Sequence, residues 1–165
     1  MADKTVAERL QPSLLDRLTD DEPGSLKETR DSRVIDVVRL REIIQRDLAW
    51  LLNTNNMEDV LDIDTMPRVR RSVLNYGLRP TSGDYSTAEK AERIRRSIAR
   101  AIEAFEPRII AGSAIVELRT EKNAGEMHIA FDIRADMWAQ PMPLELYLRS
   151  KVDVTTGEVE MERAR

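Results

Sequence analysis

Three consecutive residues, Glu106-Pro107-Arg108, carry the sharpest local chemistry in this sequence. They follow a strongly helical stretch. A glutamate at a helix C-terminus faces the negative end of the macrodipole, at a cost of roughly 0.3–1 kcal/mol on an exposed site. Arg108 is favourable there, and Pro107 fixes a corner. Two readings are open. In one, the segment is a simple helix stop with an incidental acid. In the other, Glu106 has a cationic or N–H-rich partner outside the local helix. A charge-assisted hydrogen bond of roughly 1.5–3 kcal/mol would offset the dipole penalty.

Other residue types offer less. No G-x-x-x-x-G-K-[ST] or G-x-G-x-x-G is present, so no phosphate-cradling loop is predicted. Gly112-Ser113 lacks the flanking pattern of a nucleophile elbow. There is no cysteine, which excludes disulfides and thiolate metal sites. One histidine, His128, excludes a multi-histidine site, and it falls on the wet side of a strand pattern. With 30 acids, candidate carboxylate pairs for glycoside hydrolysis are guaranteed and therefore uninformative. Two tryptophans, three tyrosines and two phenylalanines make a poor sugar platform. Arg93, Arg95, Arg96 and Arg100, and the cluster Arg68, Arg70 and Arg71, read mainly as solvated faces. The net charge of -4 argues against a dedicated nucleic-acid binder. No metal or cofactor is expected.

The elements that must position the corner follow from periodicity. Residues 32–53 place Val34, Val37, Val38, Leu40, Ile44, Leu48, Leu51 and Leu52 at helical spacing, with Glu42–Arg46 as an i,i+4 pair. Trp50 reads as packing. A short helix from Pro67 carries Val69, Val73 and Leu74 and stops at Gly77, a residue suited to the left-handed conformation. The clearest helix spans 87–105, with Ser86 and Glu89 as a capping box and Ala91, Ile94, Ile98, Ala101, Ile102 and Phe105 on one face.

After Arg108 the period changes to two. Strands are predicted over 109–120, from Met127 through Arg134, from Leu144 to Val154, and over 158–162, with turns at 122–125 and 155–157. Helices followed by antiparallel strands give an α+β class, with N-terminal helices and a three- or four-stranded antiparallel sheet. Residues 1–31 are expected to be a flexible arm, and 32–165 a single domain. In the arm, Leu10, Leu14, Leu15 and Leu18 form an amphipathic stretch below the roughly 12 residues an isolated helix needs. These leucines are possible docking residues, on this domain or on a partner. No apolar run approaches the roughly 18 residues of a membrane helix, and the N-terminus lacks a signal-peptide core. A cytoplasmic protein is expected.

Several segments in fixed order carry a resemblance: RLQPSLLDRLTDDEP (9–23), RDLAWLLNT (46–54), SVLNYGL (72–78), FEPRI (105–109), and a final sheet ending in DVTTGEV (153–159). The chain resembles the TssE family, small baseplate subunits of bacterial type VI secretion systems. It is also similar to the wedge protein of contractile phage tails, historically labelled lysozyme-like. The resemblance implies a structural, non-enzymatic role in the baseplate wedge beside TssF, TssG and TssK. That site lies at the membrane-docked secretion baseplate, on its cytoplasmic side. There the subunit would template the first ring of TssB–TssC sheath. It also implies that Glu106, Pro107 and Arg108 clamp the wedge core, with a wedge partner supplying the cation or donors that Glu106 lacks locally. The lysozyme-like label implies the alternative, a peptidoglycan hydrolase, for which the sequence shows no site. Sheath strands adding to an open sheet edge would provide the templating contact.

Overall fold

The computed structural model describes residues 13–19, 23–24, 37–62, 65–80, 87–119, 128–138, 143–153 and 155–163. Three helices precede a sheet: α1 (Leu14–Leu18), α2 (Val37–Leu52) and α3 (Thr87–Phe105). The sheet contains β1 (Ile115–Arg119), β2 (His128–Met137), β3 (Leu144–Asp153) and β4 (Val159–Arg163). Its order is β1-β2-β3-β4, antiparallel throughout. The α+β expectation holds, and the sheet has four strands. Leu10, Ser86, Met127 and the 122–125 turn lie outside the described residues, as does the start of the predicted 32–53 helix.

The two long helices pack on one face of the sheet. α3 lies against β1, α2 lies against β4, and the helices touch each other. The stripes predicted from spacing form the core: Leu40, Ile44, Leu48, Leu51 and Leu52 of α2 meet Ile94, Ile98 and Ile102 of α3. The alternating side chains Ile129, Phe131 and Ile133 of β2, and Leu146, Leu148 and Val152 of β3, close it from below. Such packing removes each large apolar side chain from water, worth roughly 1.5–3 kcal/mol apiece. The opposite sheet face is wet and charged. There Tyr147 donates to Asp132 at 3.0 Å, and His128 sits 3.7 Å from Asp153.

The first strand is shorter than expected. Ile109 makes only an isolated bridge to Met137, and regular pairing starts at Ile115. Val116 is buried, whereas Ile115 and Leu118 are exposed. The predicted helix from Pro67 is instead two 3-10 turns, Val69–Arg71 and Val73–Asn75. The Ser72 hydroxyl accepts from the Leu74 N–H, and the Asn75 amide donates to the Arg70 C=O. These local side-chain bonds compete with a continuous helix. Val73, expected on its apolar face, is 83% exposed. Gly77 does adopt a positive φ of 116°. A Cβ there would lie 2.1 Å from the Thr54 carbonyl oxygen, so the close approach of the connector to the end of α2 requires glycine. The approach is used at once, since Leu78 N–H donates to that same Thr54 C=O.

Both edges of the sheet have particular neighbours. At β4, the Asn53 side chain behaves as a surrogate strand: its Nδ2 donates to the Val159 C=O and its Oδ1 accepts from the Val159 N–H, both at 2.8 Å. Gln45 donates to the Met161 C=O at 3.4 Å. At β1, among the described residues, Arg95 donates to the Val116 C=O at 3.4 Å.

Candidate functional site

The corner after α3 is a tight turn. Ile109 N–H donates to the Glu106 C=O at 3.1 Å across Pro107 and Arg108. Proline is pre-set for the second position of such a turn. The chain is then stitched to the end of β2, with Trp138 N–H donating to Arg108 C=O at 2.7 Å and Ile110 N–H to Asp136 C=O at 2.8 Å. The turn folds Arg108 back over Glu106. Its backbone N–H (3.0 Å) and Nε (2.7 Å) both donate to Glu106 Oε1, and its Nη2 donates to Glu106 Oε2.

This corrects one sequence expectation. Glu106 is 5% exposed, and its carboxylate is neutralised by its own chain. The dipole penalty is offset two residues away, by a guanidinium that Pro107 aims backwards. No outside cation is needed to make the carboxylate comfortable.

The same guanidinium reaches further. Arg108 Nη2 donates to Asp47 Oδ2 of α2 at 2.6 Å. Asp47 Oδ1 accepts from Nε (2.9 Å) and Nη2 (2.7 Å) of Arg46. Arg46 Nη1 donates to Asp16 Oδ1 of α1 at 2.7 Å, and Asp16 Oδ2 takes the hydroxyl of the N-cap residue Ser13. A continuous line of charge-assisted bonds therefore runs from the α3 corner to α1. Arg46 was predicted to pair with Glu42, but its side chain turns to Asp47 and Asp16, while Glu42 lies 3.5 Å from Arg39.

The electrostatics follow from this geometry. Burial disfavours the Arg108 charge, but Glu106 and then Asp47 outweigh it, so the guanidinium is held protonated more firmly than usual. Burial also works against the Asp16 carboxylate, yet the Ser13 hydroxyl and Arg46 bring its pKa below the ordinary value. Tyr76 is pushed up by burial and by the negative charges of Asp47 and Glu106. Its ring meets Phe105 edge-on at 5.3 Å.

Arg108 is the chemically available member. Its Nε and Nη2 are spent on Glu106 and Asp47. Arginine has five N–H donors, and the two on Nη1 are not among those given to Glu106 and Asp47. The side chain is 27% exposed. The arrangement is a braced, partly exposed guanidinium.

Of the residues singled out from the sequence, Glu106, Pro107 and Arg108 are brought together, and α1 is brought to them through Arg46. Asp47 and Arg46 were missed as site residues. A local pattern does not reveal them, because Asp47 pairs across 61 residues and Asp16 across 30. Leu14, Leu15 and Leu18 do not pack on the domain; Leu14 is 72% and Leu18 75% exposed.

Elsewhere, a cavity of about 250 Å³ lies between the 3-10 connector and α3, lined by Glu58, Arg71, Asn75, Arg100 and Glu103 among others. Small-molecule sites typically span roughly 300–1,000 Å³. Among the described residues, no group of three or more His, Cys, Asp and Glu is placed to hold a metal. No described helix is long and apolar enough to cross a membrane.

The family model for the baseplate wedge protein gp25 matches residues 38–142. The chain belongs to this family. The match runs from α2 through the corner and β2, so the Glu106–Arg108–Asp47 unit lies within the family region, while α1, β3 and β4 lie outside it. Neither the curated proteins nor the solved structures gave a match. Membership supports a structural role in a phage-like baseplate wedge.

Proposed function

We propose that this chain is the TssE-type subunit of a type VI secretion baseplate. In this reading it is a non-enzymatic adaptor that joins a wedge of TssF, TssG and TssK on the cytoplasmic side of the membrane. It then templates the first TssB–TssC sheath ring. The observation that carries the reading is the braced Arg108. Glu106 and Asp47 fix its guanidinium plane, so this partly exposed group can meet an acceptor at little further entropic cost on binding. The partner therefore supplies an acceptor, a carboxylate or carbonyl, rather than the cation expected from sequence.

The sheet supports the second half of the role. Because Asn53 and Gln45 already engage Val159 and the Met161 C=O of β4, we assign the sheath strand to the β1 edge, with main-chain bonds giving affinity.

The test is co-production with TssF, TssG and TssK. Arg108→Lys keeps the charge beside Glu106 but removes the planar fork that joins Glu106 to Asp47. This variant is expected to fold and to lose most wedge co-purification. If it were recovered in the complex at wild-type yield and still supported sheath assembly, the role assigned to Arg108 would be wrong.

A further inference from the structure

The α1 segment is attached to the body the wrong way round for a helix that belongs to this core. Its polar side faces inward: the Asp16 side chain is 9% exposed and bound to Arg46. Its apolar side faces solvent through Leu14, Leu15 and Leu18. Five residues are too few to hold helical structure in water unaided, so the Arg46–Asp16–Ser13 contacts fix the element in place. Beside them, Arg46 stacks its guanidinium over the Trp50 ring at 4.8 Å, and that ring is 52% exposed. Four large apolar side chains and the Arg108 corner are thus joined by one bonded line.

The charges on this face are sorted by depth. The carboxylates of Asp16, Asp47 and Glu106 are each spent on guanidiniums. The guanidiniums reach furthest into solvent, Arg46 at 33% and Arg108 at 27% exposure, against 22% for Asp47, 9% for Asp16 and 5% for Glu106. Arg17, also exposed, takes no part in the line of bonds.

We propose that α1, Arg46 and Trp50 extend the Arg108 corner into a single docking surface for an acidic amphipathic segment of a wedge subunit. Its apolar side chains cover Leu14, Leu15, Leu18 and Trp50, and its carboxylates meet Arg17, Arg46 and Arg108. The proposal rests on the wedge-binding reading above and adds the recognition chemistry of the partner. Exposed apolar side chains grouped in this way mark interaction sites, and the fixed cations on the face select an acidic partner over a basic one.

The experiment uses the full chain and the purified TssF–TssG–TssK wedge. In a Trp138→Phe background, Trp50 is the only tryptophan. On wedge binding its emission is expected to shift to the blue and its quenching by acrylamide to fall. The triple change Leu14→Ser, Leu15→Ser, Leu18→Ser alters only exposed positions, so the urea midpoint should stay where it is. Wedge affinity should drop about tenfold or more. Arg17→Glu and added salt should each weaken binding. A triple variant that binds as wild type, or a Trp50 that stays equally quenchable in the complex, overturns the proposal. If those results came with a binding defect in Arg108→Lys, this inference alone would fail. If the wild-type chain did not bind the wedge at all, the functional reading would fall with it.

Discussion

Arg108 serves two carboxylates at once, and this sharing determines what its loss should do. Arg108→Ala would leave Glu106, at 5% exposure, buried without its cation. Breaking a buried pair from one side costs roughly 3–5 kcal/mol. Because Arg108 itself reaches solvent, the low end, about 3 kcal/mol, is expected in urea unfolding. Adding Glu106→Gln to that variant should recover part of the loss, since the stranded charge is gone. A single Arg108→Ala that unfolds at the wild-type midpoint would show that the bonds to Glu106 contribute little. At this scale the sequence was half legible. The sequence singled out the Glu106-Pro107-Arg108 triplet and its dipole conflict, but the relief came from inside the triplet. A two-residue return path depends on the turn that Pro107 sets, which periodicity does not encode. Trp50 was read as packing because it sits at the end of an apolar helix, yet its ring lies outside the stripe, under Arg46.

The long elements were the most legible. α3 has the predicted span, and β2 and β3 bury the predicted alternate residues, because each pattern repeats over ten or more positions and one face must leave water. The 67–77 connector was not, because its short apolar spacing was outweighed by bonds from Ser72 and Asn75 to nearby backbone. The tie from the end of α2 to Val159 of β4 also escaped, since both its bonds come from the Asn53 amide reaching across 106 residues. That tie is testable. Asn53→Ala removes both bonds to Val159 and leaves a buried N–H and C=O without their partners, at roughly 1–3 kcal/mol. Hydrogen exchange at Val159 and Met161 should accelerate more than at β2. Uniform acceleration across the sheet, or none, would contradict the surrogate-strand description.

At the level of the whole molecule, acid should act through carboxylates held by guanidiniums. Hydrogen bonds from Arg95 and then Arg96 bring Glu92 down from 4.5 to about 2, and Asp16 is lowered as well. A folded-state pKa below the unfolded one means the stabilising contribution is present above the unfolded value and lost as pH falls toward the folded one. Stability measured by urea should therefore be level near neutrality with respect to these groups. It should decline below about pH 4.5 and continue to fall toward about pH 2. Loss of α1 protection from proteolysis should accompany the Asp16 part of that decline. A protein equally stable at both ends of this window would show that these pairs add nothing.

The asymmetry between the two flanks of the sheet has a further consequence. An assembly unit that welcomes strands on both sides is a link, and links polymerise without a beginning. With Asn53 and Gln45 already seated on Val159 and on the Met161 C=O of β4, that flank is engaged by the chain itself, which disfavours the addition of a further strand there. A single asparagine thereby caps part of a strand that would otherwise be open to pairing.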